Sequence, residues 1–121
     1  MRSAVERVAQ AGYTVSDTSS YDASQQLRVL IGSAGPYNQK AFFFLGGDYL
    51  GTDTLAPSAQ LAFGGEDGNV VTIVYTLYRP QDPMNAPTGG KVGIRYQWNG
   101  TRLLPLDPIP PDDPAASLSR R

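Results

Sequence analysis

The carboxylates Asp22, Asp48, Asp53, Glu66, Asp67, Asp82 and Asp107 are the side chains through which this sequence could do acid–base chemistry, provided that two of them converge with different proton affinities. Other routes are closed by composition. The chain has no histidine and no cysteine, which removes the usual general base near neutral pH, the Ser-His-Asp arrangement, the thiolate nucleophile, the disulfide and the commonest metal ligands. Most of the carboxylates sit in turn contexts such as Gly47-Asp48 and Asp67-Gly68, where an aspartate ordinarily bonds its own backbone. No catalytic residue is therefore assigned, and no metal ligand. Gly89-Gly90 lacks the following helix and lysine of a phosphate loop, so no cofactor is expected either.

Recognition is the other chemistry open to this chain. Arg79-Pro80-Gln81-Asp82-Pro83, followed by Pro87-Thr88-Gly89-Gly90, is a connector that can present Arg79 and Asp82 to a ligand, and can equally be a rigid loop closed by an Arg–Asp pair. Arg95 lies on the polar side of the strand that follows. Arg79, Asp82 and Arg95 are thus the candidate interaction surface. With 10 Lys+Arg against 11 Asp+Glu, there is no electrostatic footprint for nucleic acid or an anionic membrane. The expected partner is a protein or a small ligand. No apolar run approaches the ~20 residues of a membrane span, and Met1 to Gly12 has no apolar signal-peptide region, so the chain reads as soluble.

The elements that must position these residues follow from periodicity. Ser3-x-x-Glu6 has capping-box spacing, with Val5, Val8 and Ala9 on one side and Gly12 as a left-handed stop, which predicts a short N-terminal helix. Tyr13 to Ser24 is a polar linker. Leu27, Val29 and Ile31 alternate as a first strand, and residues 41 to 53 form a hairpin turning at Gly46-Gly47-Asp48. Leu61 to Phe63 is a short strand, Glu66-Asp67-Gly68-Asn69 a turn, and Val70 to Arg79 a long strand. There Val71, Ile73, Tyr75 and Leu77 share one face, and Thr72, Thr76 and Tyr78 the other. Lys91 to Trp98 buries its even positions, Asn99-Gly100 suits a two-residue turn, and Arg102 to Leu106 returns. The aromatic set Phe42, Phe43, Phe44, Tyr75, Tyr78, Tyr96 and Trp98 reads as core rather than a base-stacking platform.

The expected class is α+β: one short N-terminal helix packed on an antiparallel meander of about six or seven strands. Residues 1–106 form a single domain, and 107–121 a Pro/Asp-rich C-terminal tail of extended geometry.

Several spaced motifs in this order resemble the LppP/LprE lipoprotein family of actinobacterial cell envelopes. They are Tyr21-Asp22 with Leu27, Gly47-x-Tyr49-Leu50-Gly51-Thr52, Val74 to Arg79 with Asp82-Pro83, and Pro87-Thr88-Gly89-Gly90. Val92-x-Ile94-Arg95-Tyr96-x-Trp98-x-Gly100 and Leu106 to Pro110 complete the pattern over roughly residues 21 to 110. The resemblance implies an exported domain, held at the outer membrane face by a lipidated N-terminal cysteine and with no established enzymatic activity. The family pattern also carries cysteines near Ser24 and Asn85-Ala86, where this sequence has none. The functional expectation is a non-enzymatic cell-envelope domain that binds a partner or ligand and meets the membrane only through a lipid anchor absent from these residues. A small structural or interaction protein of the cytoplasm comes second, and a carboxylate-dependent hydrolase third.

Overall fold

The computed structural model describes residues 1–121 as one helix, α1 (Arg2–Gln10), and seven strands: β1 (Leu27–Ser33), β2 (Gln39–Leu45), β3 (Asp48–Thr52), β4 (Leu61–Asp67), β5 (Val70–Thr76), β6 (Lys91–Trp98) and β7 (Leu103–Pro105). Every pairing is antiparallel between neighbours in sequence, and the class is α+β. The strands divide into two meanders, β1-β2-β3 and β4-β5-β6-β7, where periodicity alone suggests one continuous sheet. The division falls between Asp53 and Gln60. There the Thr52 and Thr54 hydroxyls donate to the carbonyls of Thr54 and Ala56, and Pro57 cannot donate to a ladder.

The two sheets pack face to face around Leu27, Val29, Ala41 and Phe43 from the first and Val71, Ile73, Tyr75, Ile94 and Tyr96 from the second. The helix covers the other face of the first sheet through Ala4 and Val8 on Leu30, Phe42 and Phe44. Both faces of β2 are therefore covered, and this is why Phe42-Phe43-Phe44 runs apolar without alternation. Each buried ring contributes about 1.5–3 kcal/mol. The second sheet has only one covered face, so β5 and β6 alternate.

Several local expectations are corrected. Ser3 lies inside α1, which starts from Met1 without a side-chain cap. Ala9 is exposed, and the buried stripe is Ala4 and Val8 with half-buried Val5. The helix does end at Gly12: its N–H reaches Ala9 O at 3.0 Å, and its φ of 87° turns the chain so that Tyr13 N–H reaches Val8 O at 3.2 Å. Strand β4 continues through Glu66 and Asp67, so the turn is only Gly68-Asn69. After β6 the loop has four residues rather than two, because Trp98 pairs with Leu103. Asn99 Oδ1 stabilises that loop by accepting from Thr101 N–H and Arg102 N–H, both at 2.9 Å.

The greatest departure is at Tyr78. Alternation places it on the polar face beside Thr76, yet it is fully buried. Residues 107–121 return across the domain, and Ser119 pairs with Tyr78 in an antiparallel bridge.

Candidate functional site

The outward face of the second sheet is the one broad sheet face without a covering layer. Arg95 stands on it opposite Thr72. Cβ atoms at Gly64 and Gly93 would fall 3.0 and 3.1 Å from Thr72 Cγ2, so the threonine and Val74 lie over these glycines and keep the face low. Arg95 is not a free cation. Its Nε and Nη2 donate to Asp107 Oδ2 and Oδ1 at 3.0 and 2.9 Å, and its N–H also donates to Oδ2 at 2.9 Å. The Arg95 side chain stays 54% exposed. These bonds to Arg95 hold the Asp107 carboxyl down at about 2. A shallow cleft of about 410 Å³ lies beside the pair, between the Gly64-Gly65 bulge, Thr72 and Leu106.

The connector from Arg79 to Gly90 is a separate feature. Asp82 Oδ2 accepts from Arg79 N–H at 2.8 Å and Thr88 N–H at 2.7 Å, while Oδ1 accepts from the Thr88 hydroxyl at 2.8 Å. These bonds, the one from Arg79 N–H foremost, lower the Asp82 carboxyl from its ordinary value. Of the two forms anticipated for this loop, the ion-paired one does not occur: the salt bridges are Arg2–Glu6, Arg95–Asp107 and Arg120–Asp112. Capping of backbone amides closes the loop instead. Gly89 and Gly90 serve the same closure, with Gly89 N–H donating to Leu77 O at 2.9 Å and Leu77 N–H to Gly90 O at 2.8 Å. Arg95 is level with Thr72, and β5 runs four residues further to Thr76, about 13 Å, before Arg79 is reached. The structure thus does not gather Arg79, Asp82 and Arg95 into one site.

A third arrangement has no counterpart in the sequence motifs. Asp53, after β3, accepts from the Tyr75 hydroxyl at 2.7 Å and from Ala41 N–H at 2.9 Å. The Tyr75 hydroxyl also bonds that of Tyr96. Burial pushes Asp53 above the usual carboxylate value, with partial offset from Tyr75 and backbone donors. Burial likewise raises Tyr75 and Tyr96, and the charge on Asp53 adds to both. An open cleft of about 740 Å³ adjoins Asp53, bordered by Leu55, Ile109, Asp112 and Arg120. Both Asp53 oxygens already accept protein donors, so the carboxylate ties β3 to the core of the second sheet. Glu66 is the other carboxylate that is raised. It lies opposite Val71, its Oε2 is buried without a partner, and burial followed by the charge on Asp22 raises it. Alternation and turn rules carry no signal for either group, since each acquires its surroundings from another sheet or loop.

These features define a small helix-backed, two-sheet domain whose polar side chains brace its loops and whose second sheet presents one face to solvent. The family described as LppP/LprE lipoprotein matches residues 19–101, and the chain belongs to that family. The matched span starts in the linker before β1 and ends in the loop after β6, so α1 and the returning segment 107–121 lie outside it. No curated protein and no solved structure matches the chain.

Proposed function

We propose that this is a non-enzymatic, lipoprotein-type domain of the cell envelope that binds a protein partner through the outward face of its second sheet, with Arg95 as the central polar contact. The observation that carries the proposal is the uncovered face itself. The helix covers the first sheet and the two inner faces cover each other, whereas the face bearing Thr72, Val74 and Arg95 has no covering layer and meets the returning segment at the Arg95–Asp107 pair. Arg95 is set there by a bidentate carboxylate, which fixes the fork and leaves half of it in water. A preorganised arginine loses less freedom on binding and is among the residues that dominate interfaces. The non-enzymatic part is supported by the use of Asp53, Asp82 and Asp107 as acceptors for protein donors, and the envelope location by family membership.

The test uses the full native gene in its source cells. A lipid mass at the N-terminus and partition into the detergent phase are expected. A photo-crosslinking residue at Thr72 should capture a partner that one at Asp48, on β3 of the other sheet, does not, and Arg95→Ala should weaken that capture. An unmodified cytoplasmic product would remove the envelope assignment, and identical capture from both positions would remove the face.

A further inference from the structure

Residues Ser119, Arg120 and Arg121 are held as a bound peptide is held. The run from Pro111 to Leu118 is exposed except for half-buried Ala116, whereas Ser119 and Arg120 are only 0% and 7% exposed. The segment is a solvated leash ending in a buried anchor. Its backbone adds to the second sheet beyond β5: Ser119 N–H donates to Tyr78 O at 2.9 Å, and Tyr78 N–H to Ser119 O at 2.8 Å. Arg120 O then accepts from Ala59 N–H at 2.9 Å. Main-chain pairing of this kind with pockets for side chains is how strand-addition sites recognise peptides.

The two pockets are built for guanidinium groups. Arg120 donates from Nη1 to Ala56 O, Pro57 O and Ser58 Oγ at 2.9, 3.2 and 3.0 Å, and from Nε to Pro110 O at 2.9 Å. Arg121 donates from Nη2 to Arg79 O and Pro80 O at 2.9 and 3.0 Å and from Nη1 to Asp82 O. Its guanidinium carbon lies 5.0 Å from the Tyr78 ring centroid. Converging carbonyls match a planar fork of donors and not a lysine ammonium. The fit is incomplete, because Arg121 has a φ of 47° and a buried Nε without a partner, and both features weaken the hold.

We propose that this is an exchangeable Ser-Arg-Arg receptor, which takes the segment of a second copy of the chain as well as its own, two molecules trading residues 111–121. The occupant follows from complementarity, since the site fits this chain's own sequence and lies beyond an exposed leash. Exchange replaces each contact by an identical one, so little contact energy opposes it. The tether raises the local concentration of the cis segment to the millimolar range, which sets where the dimer appears. The segment lies outside the family span, and the proposal does not rest on the outward face of the second sheet.

The probe is a fluorescein-labelled peptide of residues 115–121, titrated into the full chain carrying Arg120→Ala and Arg121→Ala after circular dichroism confirms the fold. Saturable anisotropy is expected, at least about tenfold weaker when lysines replace both peptide arginines and at least about tenfold weaker on the unsubstituted chain, whose own segment competes. Sedimentation of the unsubstituted chain should shift from monomer toward dimer between about 10 µM and 1 mM, and the doubly substituted chain should remain monomeric. A folded variant that does not bind the peptide overturns the receptor, and an unsubstituted chain monomeric throughout that range overturns the exchange. Should the double variant not fold, sedimentation of the unsubstituted chain decides alone: a shift toward dimer between about 10 µM and 1 mM supports the exchange, and a chain monomeric throughout that range overturns it.

Discussion

Gly89→Ala should be among the most damaging single-methyl additions in this chain. A Cβ at Gly89 would lie 2.7 Å from both the carbonyl carbon and the oxygen of Leu77, about 0.7 Å inside the shortest ordinary contact. The obstacle is backbone, so no rotamer change relieves it. Leu77 is itself pinned, its O accepting from Gly89 N–H and its N–H donating to Gly90 O, and the residue is only 7% exposed. Overpacking costs about 1–3 kcal/mol, and separating the two backbones adds about 1 kcal/mol for each hydrogen bond lost. The expected loss is about 2–5 kcal/mol against a stability of about 5–15 kcal/mol for a domain of this kind. Tm should then fall by roughly 6–20 °C, read from thermal melts followed by circular dichroism and Trp98 fluorescence. Gly47→Ala is the control, because that site has no atom within 4 Å and no positive φ; it should be neutral or stabilising by up to about 1 kcal/mol. A Gly89→Ala melt within about 2 °C of the parent would mean that the Leu77 backbone is no obstacle to a Cβ.

Gly32→Ala should also destabilise, since its Cβ would lie 2.8 Å from Val8 Cγ1 and 2.9 Å from Phe42 Cε1. Here the first obstacle is a side chain, so adding Val8→Ala should recover part of the loss; strictly additive effects in a double-mutant cycle would show that Val8 is not what the methyl meets. The Asp107 carboxyl should titrate at about 2 by NMR and move up toward the usual range in Arg95→Ala. Because its folded value is lowered, the stability it contributes is present above its unfolded pKa and lost as pH falls through about 2. An unmoved midpoint in the variant would count against the fork. Asp53 has the opposite sign: its folded value is raised by burial, so its contribution is complete below the unfolded pKa and is lost as pH rises through the folded one. Asp53→Asn should flatten that part of the urea-stability profile, and an unchanged slope would exclude Asp53 as its source. Arg120→Lys should cost about 2–4 kcal/mol in urea unfolding by leaving carbonyls of Ala56, Pro57 and Pro110 short of donors; full stability would show that an ammonium serves equally well.

Strand content was legible in the sequence wherever one face meets water. Val71, Ile73 and Tyr75 alternate with Thr72 and Thr76, and Ile94 and Tyr96 with Arg95, because a half-buried antiparallel strand imposes period two. Hairpin turns at Gly46-Gly47 and Gly68-Asn69 were legible for the same local reason, since Gly46 and Gly68 adopt φ of 59° and 64°, which glycine tolerates. The candidate surface was legible only as residue types. Arg95 was placed on the correct face, but its partner Asp107 is twelve residues away in the returning segment, and the partners of Asp82 proved to be amides rather than the Arg79 guanidinium.

Neighbours along the chain were enough to dictate the antiparallel strands, their turns, the α+β class, and a chemistry without histidine or cysteine. The split into two sheets, the burial of Tyr78 and the surroundings of Asp53 were settled only when the chain folded back on itself. Each of these depends on groups far apart in sequence, Asp53 with Tyr75 and Tyr78 with Ser119 and Arg121. No local periodicity records such a meeting, because burial and hydrogen bonding depend on what lies across the gap rather than along the strand.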